Sequence, residues 1–475
     1  MNRHVLANGL RLIHLHDAAT RMATVDVMYN VGSKDEHPDH TGFAHLFEHL
    51  MFAGSAHVPD FDRVVLEASG ENNAWTSADA TNYYITLPAG HLETALFLEA
   101  DRMRCLSLDA RRLKVQKQVV LEEFKQRYLN QPYGDVSLLM RPLMYGSHPY
   151  SWPTIGKCLE HIQDFSLPDV EDFYHRFYVP DNAVLCVVGN VSFEQTVEWV
   201  EKWFGDIPAG HVVPRCLPRI PVQTQPRVLS VSRDVPVSAL YKSWQAPSPL
   251  EPGYLACDLL TDVLAGGRSS RLTQRLVNQG HVFDALDIYL GSELEPSCGT
   301  IQFTGKPAKG VSLEQADAAL QEELSALADD CLAAARDGDR IGRTTVGNGC
   351  GFAETAAGNG GRSGSAIAGN ESGFGKRAVR KGGLGKITPR ELQKVKNKFE
   401  SGFLFKNTNH QQVASQMCMY ELLGKIAPGH GAEDYWADVD RTLALGTADL
   451  QEMARRTFRP ENSCALYYHS EGRQA

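Results

Sequence analysis

The 475-residue chain contains no apolar run near the roughly 18 residues that a membrane-crossing helix needs, so no segment reads as a bilayer span. It has no surplus of basic charge. With 47 Lys and Arg against 57 Asp and Glu, its net charge of -10 argues against a nucleic-acid partner, which would require a positive face. Its ten cysteines include no C-x-x-C pair, which removes cysteine-rich zinc sites and thioredoxin-like motifs. Several, such as Cys186 in "AVLCVVG", sit in apolar runs as small hydrophobes. A reducing compartment suits them, so a cytoplasmic location is expected and a periplasmic one is left open. The opening "MNRHVLANGLRLIHLHDAAT" lacks the zones of a signal peptide and reads as a first strand. No strand leads into G-x-x-x-x-G-K-[ST], so a phosphate cradle is absent as well.

What is present is an ordinary globular composition, 43% apolar and 22% charged, in a chain too long for one core. Two stretches resemble each other, "FYVPDNAVLCVVG" (Phe177–Gly189) and "FRPENSCALYYH" (Phe458–His469), each a helix exit feeding an apolar strand. "HLFEHLMFAGS" also overlays "DLLTDVLAGGR" (Asp258–Arg268). Two such pairs in the same relative places indicate a duplicated domain. In the second copy, Asp258, Thr261 and Asp262 stand where the first has His45, Glu48 and His49, so the chemistry belongs to the first half. Strand-like and helix-like runs alternate in each half, giving an α+β class, a duplicated α/β sandwich of helices on mixed sheets. The expected division is residues 1–208, a proline-rich linker at 209–227 and a second half at 228–475. Within the second half, residues 337–385 are about a third glycine and almost free of large aliphatics. That composition predicts a disordered surface insert, with a shifted reading frame between two helices as the alternative.

The chemistry starts at "TGFAHLFEHLMFAGS" (Thr41–Ser55). On a helix, His45 and His49 share a face and can converge on one metal, while Glu48 sits beside the pair and can reach a metal-bound water. This is the H-x-x-E-H arrangement. Its polar groups lie among Phe43, Leu46, Phe47, Leu50, Met51 and Phe52, where unpaired burial would cost several kcal/mol. A catalytic zinc takes three protein ligands and leaves one position open. "QKQVVLEEFKQR" offers Glu122 and Glu123 for the third, and periodicity does not choose between them.

These segments, with "LANGLRLI", "GENNAWTSADATNYY", "HPYSWPTIG", "FYVPDNAVLCVVGN", "LAGGRSSRLTQRLV" and "TPRELQKVKNKF", make the chain resemble the pitrilysin/insulinase family of zinc metallopeptidases, the inverzincins. It is similar above all to the half-size bacterial members and the mitochondrial processing peptidase subunits. The resemblance covers all but the glycine-rich stretch. It implies a duplicated sandwich enclosing half of a clam-like chamber, and one zinc per chain on His45, His49 and Glu123. It implies Glu48 as general base of a metalloendopeptidase, and a strand edge at Asn73, Ala74 and Thr76 that binds an extended peptide. A non-catalytic scaffold subunit of the same fold is the alternative.

Two departures from the family pattern stand out. Gln116 occupies the place of an acid seven residues before the third ligand. In the second half Arg275 fits a substrate-contacting arginine, but Val282 stands where the family often has a tyrosine. Peptide substrates are expected, with no nucleic acid and no membrane. A homologous partner subunit that supplies the tyrosine is expected, as a heterodimer. A chain acting alone or as a homodimer, with Tyr289 or a backbone amide filling the gap, is the other option.

Overall fold

The computed structural model describes residues 1–210, 215, 217–338 and 385–471. Among them lie two mixed sheets. The first contains β1 (Asn2–Val5), β2 (Arg11–His16), β3 (Met22–Tyr29), β4 (Glu71–Thr76), β5 (Thr81–Pro88) and β6 (Ala183–Gly189), in the order β1-β2-β6-β3-β5-β4. The second contains β7 (Arg227–Arg233), β8 (Ala239–Gln245), β9 (Phe283–Leu290), β10 (Thr300–Pro307) and β11 (Ser463–Ser470), in the order β7-β11-β8-β10-β9. Dropping β1 makes the two orders superimpose. In each, the first pair is parallel (β2 with β6, β7 with β11) and every later pair is antiparallel.

The same local device opens the matching strands β6 and β11. Asn182 Nδ2 donates to Phe177 O at 2.8 Å and to Asn30 O at 3.2 Å. Asn462 Nδ2 donates to Thr457 O at 2.7 Å and to Gln245 O at 2.9 Å. In both halves one buried amide satisfies the carbonyls of a helix exit and of the neighbouring strand's end, which is why "PDN" and "PEN" recur.

Strand alternation sorts the core. Ala23, Val25, Val27 and Tyr29 of β3 and Ala183, Leu185 and Val187 of β6 join a core with the helices Phe43–Leu50, Leu92–Arg104, Ala110–Phe124 and Leu167–Phe177. Met28, Val184, Cys186 and Val188 point to the opposite face, where the helix His410–Ile426 covers them with Val413, Ala414, Met417, Cys418 and Leu422. That helix comes from the far end of the chain. Reciprocally, the helix Val136–Tyr145 packs Met140, Met144 and Tyr145 against Ala239, Cys464, Leu466 and Tyr468 of the second sheet. Each sheet is thus covered on one face by a helix borrowed from the other half.

The linker is pinned at both ends. Arg215 pairs with Asp35 and donates to Asn30 O at 2.5 Å, while Gln223 Nε2 donates to Ser463 O at 2.7 Å. Apart from its ends, the glycine-rich stretch 337–385 lies outside the described residues. The helix Leu313–Gly338 precedes it, and Thr388 and Glu391 form a capping box that restarts helix at Pro389–Lys406. No helix among the described residues is long and apolar enough to cross a membrane.

Candidate metal centre

The helix Phe43–Leu50 is entered through Gly42, whose φ of +107° and whose missing Cβ (2.7 Å from Ile155 O if present) admit only glycine. The buried Glu36 carboxylate then accepts the Gly42 and Ala44 N–H groups, each at 2.9 Å, and Trp152 Nε1–H at 3.1 Å. Burial still pushes the Glu36 carboxyl up to about 8, against the pull of those donors. Phe43, Leu46, Phe47 and Leu50 face the core and orient the helix. His45 and His49 are left on its other face, toward the helix Ala110–Phe124. Asp109 caps that second helix through the Arg111 and Arg112 N–H groups at 2.8 and 2.9 Å. Val120, Leu121 and Phe124 anchor it, and Glu123 projects toward the histidines.

Three donor atoms converge there. Glu123 Oε2 lies 3.0 Å from His45 Nε2 and 3.5 Å from His49 Nε2, and the two imidazole nitrogens are 3.4 Å apart. Ligands about 2.0–2.1 Å from a tetrahedral zinc stand about 3.3–3.4 Å from one another. The donor set therefore fits zinc in identity and in spacing. Glu122, the adjacent acid, turns to solvent and pairs with Lys125 Nζ at 2.7 Å.

Converging lone pairs require a positive charge among them. Burial would drive the His45 imidazolium down, but the carboxylates of Glu123 and Glu48 outweigh it and lift His45 to about 9. Hydrogen bonds from His45 and His49 hold the Glu123 carboxyl well below the usual range. Glu48 stays outside the donor set. Its Oε2 is 3.6 Å from His45 Nδ1 and accepts Thr76 Oγ1–H at 2.5 Å. Burial would raise its carboxyl, yet His45 and Thr76 keep it below its ordinary value.

Thr76 ends β4, which among the described residues pairs with β5 alone and presents its other edge unpaired. Asn73 and Ala74 lie on that strand, and the Ala74 N–H is taken by Asn73 Oδ1 at 2.8 Å. Beyond β4, a cavity of about 330 Å³ opens between the halves, lined by Ser77, Asp79, Arg127, Arg141, Ser292 and Glu293. Arg127 links it to the cluster, with Nη1 3.7 Å from Glu123 Oε1. Arg275 is not brought to the cluster: Glu323 holds its guanidinium at 2.6 Å inside the second half. Val282 packs against the second core, and Tyr289 donates to Gln302 Oε1 at 2.8 Å. Gln116 is half-buried on the Glu123 helix.

Sequence reasoning missed three contributors. Glu36 caps the motif helix through space, with no fixed spacing to betray it. Thr76 was expected only as strand edge, whereas its hydroxyl also holds Glu48. Arg127, at i+4 from Glu123, carries a helical-spacing signal that went unused.

Residues 11–139 match the family model "Insulinase (Peptidase family M16)", and residues 164–335 match "Peptidase M16 inactive domain". The zinc protease PqqE of Helicobacter pylori is 32% identical over 280 residues, which is 58% of this chain and 63% of that protein. An uncharacterized zinc protease of Mycobacterium bovis is 30% identical over 305 residues, 61% of this chain and 68% of that one. The chain thus spans under two thirds of the length of the Helicobacter relative. The crystal structure of a protease from Helicobacter pylori shares the fold, with a TM-score of 0.78, 24% identity and 98% of each chain covered. The chain belongs to the insulinase, or M16, family of peptidases.

Proposed function

We propose that the chain is a zinc metalloendopeptidase that cleaves peptides or unfolded segments bound in extended form. The observation that carries this reading is the convergence of His45 Nε2, His49 Nε2 and Glu123 Oε2 with Glu48 held just outside the set. These three residues would hold one zinc, which when bound supplies a Lewis acid and an acidified water. Glu48 then accepts a proton and returns it to the leaving amine, a role worth about 10²–10⁴-fold. The free edge of β4 offers backbone groups to a substrate strand, which would displace Asn73 from the Ala74 N–H. The cleft lined by Arg127 and Arg141 receives residues beyond the cut.

The rival reading is a non-catalytic subunit of the same fold. The inactive-domain match falls at 164–335, away from His45, Glu48, His49 and Glu123, which favours catalysis in the first half. The deciding experiment compares wild type with Glu48→Gln for zinc content and for hydrolysis of an unstructured peptide. Equal zinc with hydrolysis lost supports the reading, and near-normal turnover in the variant rejects Glu48 as base.

With Val282 at the place where the resemblance expects a tyrosine, the second half lacks that one phenolic donor, and a second copy would carry the same valine. We therefore propose a partner chain of similar fold that supplies a tyrosine, with a self-sufficient homodimer as the competing arrangement. Activity that persists undiminished on dilution of the purified chain alone rejects the hetero-partner.

A further inference from the structure

A second convergence of metal-type donors stands just beyond the motif helix, and the reaction described above does not use it. The turn leaving that helix is stitched to the segment after the helix Leu92–Arg104. Ala56 N–H donates to Cys105 O at 2.9 Å, and Ser107 N–H donates to Gly54 O at 3.1 Å. This stitching brings three unlike side chains together. Asp101 Oδ1 lies 2.6 Å from His57 Nδ1 and 3.3 Å from Cys105 Sγ, and His57 Nδ1 lies 3.8 Å from Cys105 Sγ. The Asp101 carboxylate is 5% exposed, and its other oxygen is committed to Ser55 Oγ–H at 2.5 Å and His57 N–H at 3.4 Å. Those bonds fix the carboxylate plane and aim Oδ1 at the thiol and the imidazole.

A proton relay from thiol through imidazole to carboxylate needs both ring nitrogens, one toward each partner. Here the same Nδ1 faces Asp101 and Cys105, so a relay is ruled out. A metal set has no such requirement. Sulfur at about 2.3 Å and nitrogen at about 2.0–2.1 Å from a tetrahedral zinc stand about 3.5–3.6 Å apart. The observed 3.8 Å is close to that. The short separation between His57 and Asp101 widens by a small swing of the imidazole, whose side chain is 67% exposed.

We propose that His57, Asp101 and Cys105 form a second divalent-metal site, taking zinc through an imidazole nitrogen, a carboxylate oxygen and a thiolate, with water in the fourth position. Thiolate with imidazole selects this class of metal over magnesium or calcium. Binding replaces the Cys105 S–H bond with an S–metal bond, moves the imidazole proton from Nδ1 to Nε2 and releases the thiol proton to solvent. The bound ion ties the exit of the motif helix to the helix Leu92–Arg104.

The test exploits sulfur, which the His45, His49 and Glu123 set lacks. Cobalt(II) bound to a thiolate shows a near-ultraviolet charge-transfer band, so that band reports the second site alone. The full chain, reduced and stripped with chelator, is titrated with cobalt(II) in wild type and in His45→Ala/His49→Ala. Both should develop the band, complete at one equivalent in the double variant and within two equivalents in wild type, and added zinc should bleach it. The band should vanish in Cys105→Ser, weaken at least tenfold in affinity in His57→Ala, and persist in Cys158→Ser, which alters the other partly exposed described cysteine. Absence of the band in wild type with native circular dichroism overturns the proposal. So does a band that survives Cys105→Ser.

Discussion

Thr76 Oγ1 donates a hydrogen bond to Glu48 Oε2 at 2.5 Å, tying the end of a free-edged strand to the acid of the motif helix. The residue that closes the proposed peptide-binding edge also holds the carboxylate of the proposed base. Thr76→Val keeps the shape and removes the donor. It should retain zinc, since Glu48 is not a ligand, and lose roughly tenfold in kcat, a fraction of what a positioned base supplies. Thr76→Ser should restore most of it. An unchanged kcat in Thr76→Val would show that the hydroxyl does not position Glu48.

Glu123 and Glu122 are neighbours with opposite surroundings. Glu123 meets two imidazoles, and Glu122 meets Lys125 in solvent. Glu123→Gln should lose stoichiometric zinc from the site, and Glu122→Gln should keep it with activity near wild type. Elemental analysis of the two variants side by side decides the matter, and the reverse pattern would sink the assignment.

How far the sequence could be read follows from the range of each interaction. Residues four apart on a helix share a face, so the His45 and His49 pair was legible without a structure. The choice of Glu123 over Glu122 was not, because consecutive helical residues diverge by about 100° and both sit among apolar neighbours. Repeated "PDN" and "PEN" announced the duplication, since each asparagine serves a local helix exit. The exchange of helices between the halves was hidden. The apolar residues of His410–Ile426 show that the helix is packed, but their weak periodicity does not say which of two sheets it covers. Ser415 meets Asp26 across nearly the whole chain, and Thr76 meets Glu48 across two elements. Such partners are set by topology, which local spacing does not encode.

Asp26 makes the exchanged helix sensitive to pH. It lies in the middle of β3, fully buried, and accepts Ser415 Oγ–H at 2.6 Å and Asn82 Nδ2–H at 3.1 Å. Burial outweighs these bonds and raises its carboxyl from 3.8 to about 7. The folded state therefore binds a proton more tightly than the unfolded state. Its contribution is fully present at low pH and is lost as pH rises toward about 7. Asp26→Asn keeps both acceptor bonds on a neutral group. It should match or exceed wild type in unfolding midpoint at pH 8 and flatten the decline between pH 4 and 7. A variant that is less stable at pH 8 with the same pH slope would show that Asp26 is not the source.

The two halves are also joined by a buried ion cluster beside the cleft. Lys34 Nζ, almost fully buried, donates to Asp79 Oδ1 at 2.7 Å and to Glu295 Oε1 at 2.9 Å. Tyr150 OH donates to Asp79 Oδ1 at 2.5 Å, and the Leu294 N–H donates to Asp79 Oδ2 at 3.1 Å. Burial alone would lower the lysine, but the facing carboxylates outweigh it and hold the ammonium charged. Removing one member of such a cluster leaves an uncompensated buried charge and costs about 3–5 kcal/mol, whereas replacing a pair by apolar groups is close to neutral. Lys34→Met should therefore destabilise strongly, because it takes the ammonium away from the buried Asp79 carboxylate and leaves Tyr150 OH and the Leu294 N–H as its donors. Lys34→Met/Asp79→Leu should recover much of the loss, since Glu295, 22% exposed, can turn to water. Urea unfolding of the two variants beside wild type measures this. A double variant no more stable than Lys34→Met would mean that packing and the Tyr150 and Leu294 bonds, rather than the charge on Asp79, hold the halves together.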